Sequence, residues 1–146
     1  MLFIYSCSFY VNGVQQKGNT FSYSCNLFIK YYGHNLYGDC YIYQNISGFY
    51  IDMYTFGNMV FRLHEGGQKI KVFLQNDEYE YNFNDKFFSV DYIKFKKVLL
   101  SFLRDDNFIN EKHYDYEIFS FVEDDNKKLV FKDLKNINSI EFTVKK

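Results

Sequence analysis

Apolar and polar residues alternate in short runs along most of this chain, and most runs stop at Gly, Asn, Asp or Ser. Tyr41-Ile42-Tyr43-Gln44, Phe49-Tyr50-Ile51-Asp52-Met53, Phe61-Arg62-Leu63-His64 and Lys69-Ile70-Lys71-Val72 are examples. In a strand, successive side chains point to opposite faces, so a period of two demands half-buried strands with one apolar and one polar face. The pattern predicts strands near 2–11, 20–31, 40–46, 49–55, 59–65, 68–74, 78–83, 114–123, 128–134 and 139–145.

Only 90–106 has helical periodicity. Tyr92, Phe95, Leu99, Phe102 and Leu103 make one stripe and Lys94, Lys97, Ser101 and Arg104 another; Ile93, Val98 and Leu100 widen the apolar side. Ser89 is placed to cap the start and Asp91 to sit in the first turn. The expected fold is therefore α+β and β-rich: a strongly curved antiparallel sheet or partly open barrel of about ten strands, a meander of hairpins, with one amphipathic helix packed on it. A length of 146 residues suits a single domain spanning 1–146.

Register can be taken further, because one face must stay apolar. A Ser47-Gly48 loop sets Ile42 opposite Met53 inside, and Tyr41 opposite Tyr54 and Tyr43 opposite Asp52 outside. A three-residue loop, Phe56-Gly57-Asn58 with Asn58 left-handed, pairs Met53 with Phe61 and Ile51 with Leu63 inside, and Asp52 with Arg62 and Tyr50 with His64 outside. A Gly66-Gly67 loop then aligns Arg62 with Lys71, a like-charge pair needing flanking acids, and Glu80 lies beside Lys71. The expected outer row is Tyr43, Asp52, Arg62, Lys71, Glu80, bordered by Tyr41, Tyr50, Tyr54 and His64.

Three readings of that row compete. It is a solvated sheet face of ordinary β-formers; or a recognition surface, since tyrosine combines large contact area with little rotamer entropy; or a face covered by the helix, which makes Asp52 and Arg62 a buried pair.

Composition tempers the aromatic signal. Phe and Tyr number 18 and 15, Pro is absent and so is Ala, and 15 Lys stand against two Arg, as in the drift of an AT-rich genome of a bacterium, phage or mobile element. Phe3, Phe9, Phe49, Phe61, Phe83, Phe95 and Phe102 fall at core-forming positions. A net charge of -1 provides no global field toward nucleic acid or membrane. No apolar run approaches the ~20 residues of a membrane span, and MLFIYSCSFYV lacks a basic leader, so a cytoplasmic protein is expected. Cys7, Cys25 and Cys40 lack metal or redox spacing and read as buried free thiols in a reducing compartment, with one disulfide and one leftover thiol as the alternative.

Chemistry-bearing motifs are absent. His34, His64 and His113 belong to no metal pattern, no cofactor motif is present, and Glu123-Asp124-Asp125 reads as a polar turn. Cys25 or Cys40 with His34 and Asp39 is a thin case for a Cys/His hydrolase. Acids interleaved with the bases argue against a nucleic-acid groove. The sequence thus points to a non-enzymatic protein-binding domain without cofactor or metal, an inhibitor or immunity-type protein acting on a toxin, nuclease or other effector, with Tyr41, Tyr43, Tyr50, Asp52, Tyr54, Arg62, His64, Lys71 and Glu80 as its face. The runner-up is a β-barrel binder of a small ligand or single-stranded nucleic acid.

Overall fold

The computed structural model describes residues 20–105 and 107–145. The predicted strand at 2–11, and with it Cys7, Phe3 and Phe9, lies outside the described residues. Ten strands join into one antiparallel sheet: β1 (Phe21–Tyr31), β2 (His34–Asn45), β3 (Gly48–Thr55), β4 (Asn58–Gly66), β5 (Lys69–Leu74), β6 (Asp77–Asn82), β9 (Asn110–Lys112), β10 (Tyr116–Glu123), β11 (Asn126–Asp133) and β12 (Asn138–Lys145). Two short strands, β7 (Lys86–Phe87) and β8 (Val90–Asp91), pair with each other ahead of helix α1 (Tyr92–Arg104). The sheet order is β9-β10-β11-β12-β1-β2-β3-β4-β5-β6, so two meanders, one before and one after the helix, meet where β12 pairs with β1. Among the described residues the ends, β9 and β6, do not pair, and no closed barrel is found.

The turns explain why the chain folds back so often. Tyr32-Gly33 and Phe56-Gly57 each place two residues at positive φ, the geometry whose twist suits a two-residue hairpin. Asp124-Asp125 does the same between β10 and β11, as expected for a polar turn. The Tyr32-Gly33 turn also extends β2 back to His34, across Asn35, Gly38 and Asp39, residues poor in strand propensity that left this stretch unpredicted.

Helix α1 begins two residues later than its periodicity suggests, because Val90 and Asp91 are held as β8. Asp91 is the N-cap but makes no side-chain capping bond. Ser89 is no cap: it sits at positive φ in the β7–β8 turn and donates to Asp133 Oδ1 at 2.8 Å. The predicted stripe is the buried one, Tyr92, Phe95, Leu99, Phe102 and Leu103, whereas Ile93 is 60% exposed.

That stripe covers the sheet face carrying Leu27, Ile29, Ile42, Ile51, Leu63, Ile118, Phe131, Ile140 and Phe142. Phe95 packs on Phe87, Phe131 and Phe142, with ring centroids 4.9, 4.6 and 6.2 Å away. Polar ties clamp the helix at both sides. Tyr92 Oη and Lys96 Nζ donate to Glu65 Oε1 on β4 at 2.8 and 2.9 Å, and Lys94 pairs with Glu111 on β9. Burial, then the Glu65 carboxylate, pushes the Tyr92 phenol well above its ordinary range.

Cys25 and Cys40 face each other across β1 and β2, Cα atoms 4.8 Å apart, and form a cross-strand disulfide. This corrects the expectation of free thiols and removes the support they lent to a reducing compartment. The alternative of one disulfide is the one observed, because directly opposed positions bring the two sulfurs together.

Phe95→Ala should cost about 3–5 kcal/mol in denaturant unfolding, as expected for emptying an aromatic site in a packed core, whereas Ile93→Ala should stay within about 0.5 kcal/mol.

Candidate functional site

All nine residues singled out from the sequence lie on strands β2–β6 and point to the sheet face away from α1. The alternation that buries Ile42, Ile51, Leu63 and Val72 under the helix sends their neighbours outward. Their pairing differs from expectation in two of the hairpins.

The β2–β3 turn is Ile46-Ser47, which shifts the pairs by two: Tyr41 opposes Asp52, Tyr43 opposes Tyr50, and Ile42 opposes Ile51. Asn45 Oδ1 accepts the Ser47 amide at 2.7 Å and so sets the turn one residue early. Gly48 serves a different need. At φ +135° its missing Cβ leaves room for the Glu65 carbonyl on β4, which a side chain would overlap.

The β3–β4 pairs Asp52–Arg62, Tyr50–His64, Met53–Phe61 and Ile51–Leu63 are those expected. Here the loop is Phe56-Gly57, and a bulge beyond Met53 takes up the extra residue instead of a left-handed Asn58. The β4–β5 turn falls on Gly67-Gln68, so Lys71 opposes His64 and Phe73 opposes Arg62. Glu80 opposes Lys71, but its ion pair is with Lys69, at 3.1 Å. The single predicted row is therefore two adjacent rows: Tyr43, Tyr50, His64, Lys71, Glu80 and, next to it, Tyr41, Asp52, Arg62, Phe73, Glu78. The like-charge confrontation of Arg62 with Lys71 disappears.

Asp52 is the centre of this face. It is 2% exposed although no helix among the described residues covers it. A carboxylate withdrawn from water must be paired and hydrogen-bonded, and Asp52 is both. Arg62 donates from Nε to Oδ1 at 2.7 Å and from Nη2 to Oδ2 at 2.8 Å, a bidentate fork, and Tyr43 Oη donates to Oδ2 at 2.9 Å. Burial, followed by the hydrogen bond to Asp52, pushes the Tyr43 phenol up to about 12. The Asp52 carboxylate likewise raises the Arg62 guanidinium further above its ordinary value.

Rings stack around this ion pair. Tyr43 and Tyr50 lie 4.8 Å apart at 10°, and Tyr50 and His64 lie 4.3 Å apart at 6°. Arg62 Cζ sits 5.2 Å from the Tyr50 ring centroid, within cation–π range. Tyr41 meets Tyr54 edge-on at 6.0 Å. Between them is a shallow depression lined by Asp39, Tyr41, Tyr43, Asp52, Tyr54, Gly57 and Arg62.

Sequence reasoning missed how far the aromatic surface extends. Phe73 joins it through the corrected register. Phe28 and Tyr37 meet edge-on at 6.4 Å, and Phe119 and Phe121 stack at 6.0 Å under Lys132 and Lys128 on β11. Their period-two spacing was visible; the β1–β2 pairing brings Phe28 to Tyr37, and the β12–β1 junction puts β10, with Phe119 and Phe121, into the same sheet.

Among the described residues no group of three His, Cys, Asp or Glu side chains is arranged to hold a metal, and no helix is long and apolar enough to cross a membrane. The disulfide leaves neither Cys25 nor Cys40 a free thiol, and His34 stands six residues along β2 from Cys40. No protein-family model matches this sequence, and no curated protein is significantly similar to it.

Asp52→Asn should lower stability by about 1–3 kcal/mol, since it weakens a charged hydrogen bond at a buried position. Tyr43 provides an independent check. A folded pKa above the unfolded ~10 adds stability that is intact below pH ~10 and is lost as pH climbs toward 12. Absorbance at 295 nm should show a phenolate step near pH 12 that Tyr43→Phe removes.

Proposed function

We propose that this protein is a non-enzymatic binder of another protein and that the tyrosine-rich face around Asp52 is the contact surface. The buried Asp52 carboxylate carries the reading. A merely solvated face has no reason to withdraw a charge from water, yet here Asp52 is 2% exposed and fixes both Arg62 and Tyr43. The rings stacked on that pair are ordered before any partner arrives, which cuts the entropy lost on binding. Tyrosine and arginine are the residues most favoured at binding hot spots.

The charge pattern favours a protein over a nucleic acid. Asp39, Asp52, Glu78 and Glu80 alternate with Arg62, Lys69 and Lys71 across the same strands, and a phosphate backbone needs an uninterrupted positive track. We read the sheet as strongly curved, a partly open barrel. Tyr31 on β1 and Tyr81 on β6 line the same cleft, although five strand steps separate them, about 24 Å at ~4.8 Å per step in a flat sheet. Such curvature makes the outer face convex, a shape suited to a partner's cleft. An inhibitor or immunity-type protein of a bacterium, phage or mobile element, neutralising a toxin, nuclease or other effector, fits this surface and the AT-rich composition.

With the protein partner recovered from the organism's own lysate, Tyr50→Ala and Arg62→Ala should each weaken binding by about 2 kcal/mol or more in calorimetry, and Ile93→Ala on the helix should leave it unchanged. Unaltered affinity in the folded Tyr50 and Arg62 variants would contradict the assignment.

A further inference from the structure

A second concavity lies on the opposite face, where the helix leaves one corner of the sheet uncovered. It is a cleft of about 280 Å³, floored by Ile29, Phe61, Val72 and Leu74, with Tyr31, Tyr79, Tyr81, Phe87 and Phe88 as walls. At ~30 Å³ per water in the liquid, this volume equals about nine waters, or one to two fused rings. An apolar, aromatic-walled recess with a few converging polar groups is the usual character of a small-molecule site.

Three observations define what it would hold. First, the walls are flat rings held at fixed angles. Phe87 and Phe88 meet at 87°, Phe88 faces Tyr31 at 6.1 Å, and Tyr81 faces Phe87 at 6.2 Å. Phe88 and Ser89, at φ 54° and 65°, form the two-residue turn between β7 and β8, and this turn sets the Phe88 ring in the cleft wall.

Second, Asn138 is 3% exposed and lines the cleft with an unused donor. Its Oδ1 accepts the Tyr32 amide at 2.8 Å, and since a backbone N–H can only donate, the orientation of the side-chain amide is fixed. Nδ2 then has no hydrogen-bond partner among the described residues, a costly state for a buried amide donor unless a ligand acceptor completes it.

Third, the charge at the mouth is positive. Lys86 and Lys135 line it and have no acidic partner among the described residues. Asp133, the one acid among the described lining residues, is already engaged: Oδ1 accepts from Ser89 Oγ of the β7–β8 turn and from the Lys135 and Asn136 amides, and Oδ2 from Asn136 Nδ2.

We propose that this cleft binds a small flat-ringed organic acid, its ring between Tyr31, Tyr81 and Phe88 and its anionic oxygens taken by Asn138 Nδ2 and the Lys86 and Lys135 ammonium groups. The site is on the other face of the sheet from the tyrosine surface, so it stands or falls independently of protein binding there.

The test is a titration of the full ¹⁵N-labelled chain with 2-naphthoate, followed by NMR. Saturable shifts should appear at the Asn138 side-chain amide and at Phe87–Ser89, and not at Tyr50 or Arg62. The cation 2-naphthylmethylamine should bind at least about tenfold more weakly, and a Lys86→Glu/Lys135→Glu variant, altered only at exposed positions, should lose at least about tenfold in naphthoate affinity. No saturable shift in the cleft up to about 5 mM, a range that captures weak ligands, would overturn the proposal. So would equal binding of the amine, or unchanged affinity in the double variant.

Discussion

The packing of Phe95 is the contact on which the rest of the structure depends. One side chain from α1 touches Phe87 of β7, Phe131 of β11 and Phe142 of β12, the strand that joins the second meander to the first. Once this helix stripe occupies one face, every strand must turn the same alternate residues inward. The opposite face of β2–β6 is then left, among the described residues, without a helix over it. The helix is also tied at its edges, by Tyr92 and Lys96 to Glu65 on β4 and by Lys94 to Glu111 on β9, so its choice of face is reinforced by polar contacts far apart in the sheet.

On the outer face the organising element is an ion pair rather than an apolar cluster. Replacing a buried pair by apolar residues is often neutral or stabilising, so such pairs are weak evidence of stability and stronger evidence of specification. Here Asp52 holds Arg62 in a bidentate geometry, Arg62 lies over Tyr50, and Tyr50 stacks between Tyr43 and His64. These contacts hold the surface side chains in place with no helix over them among the described residues. The disulfide between Cys25 and Cys40 adds a covalent link between β1 and β2, beside the junction of the two meanders.

Most of the strand plan and the helix stripe were legible in the sequence, because period two and period 3.6 are written directly in residue order. Face membership survived even where register failed: Ile46-Ser47 and Gly67-Gln68 each moved the pairing by two, and a shift of two returns every side chain to its own side. Partners did not survive, so Tyr41 rather than Tyr43 lies opposite Asp52. What the sequence could not disclose depends on distant elements. Gly48 looked like a turn glycine, and only the approach of Glu65 shows its purpose. The cleft beneath Phe88 needs three separated segments, β1, the β7–β8 turn and the β11–β12 turn, to meet at one corner. The Cys25–Cys40 bond likewise required the exact β1–β2 register, which no local pattern supplied.

The central claim is that the outer face of β2–β6 meets a protein partner. Site-specific photo-cross-linking tests it most directly, with a benzophenone side chain placed at Tyr50 or Tyr54 on that face, or at Ile93 on the exposed side of the helix, in the full chain within its own cells. The account predicts one discrete cross-linked protein adduct from positions 50 and 54, lost when Arg62 is also replaced by alanine, and none from position 93. Adducts from position 93 alone, or none from positions 50 and 54 in correctly folded protein, would contradict it.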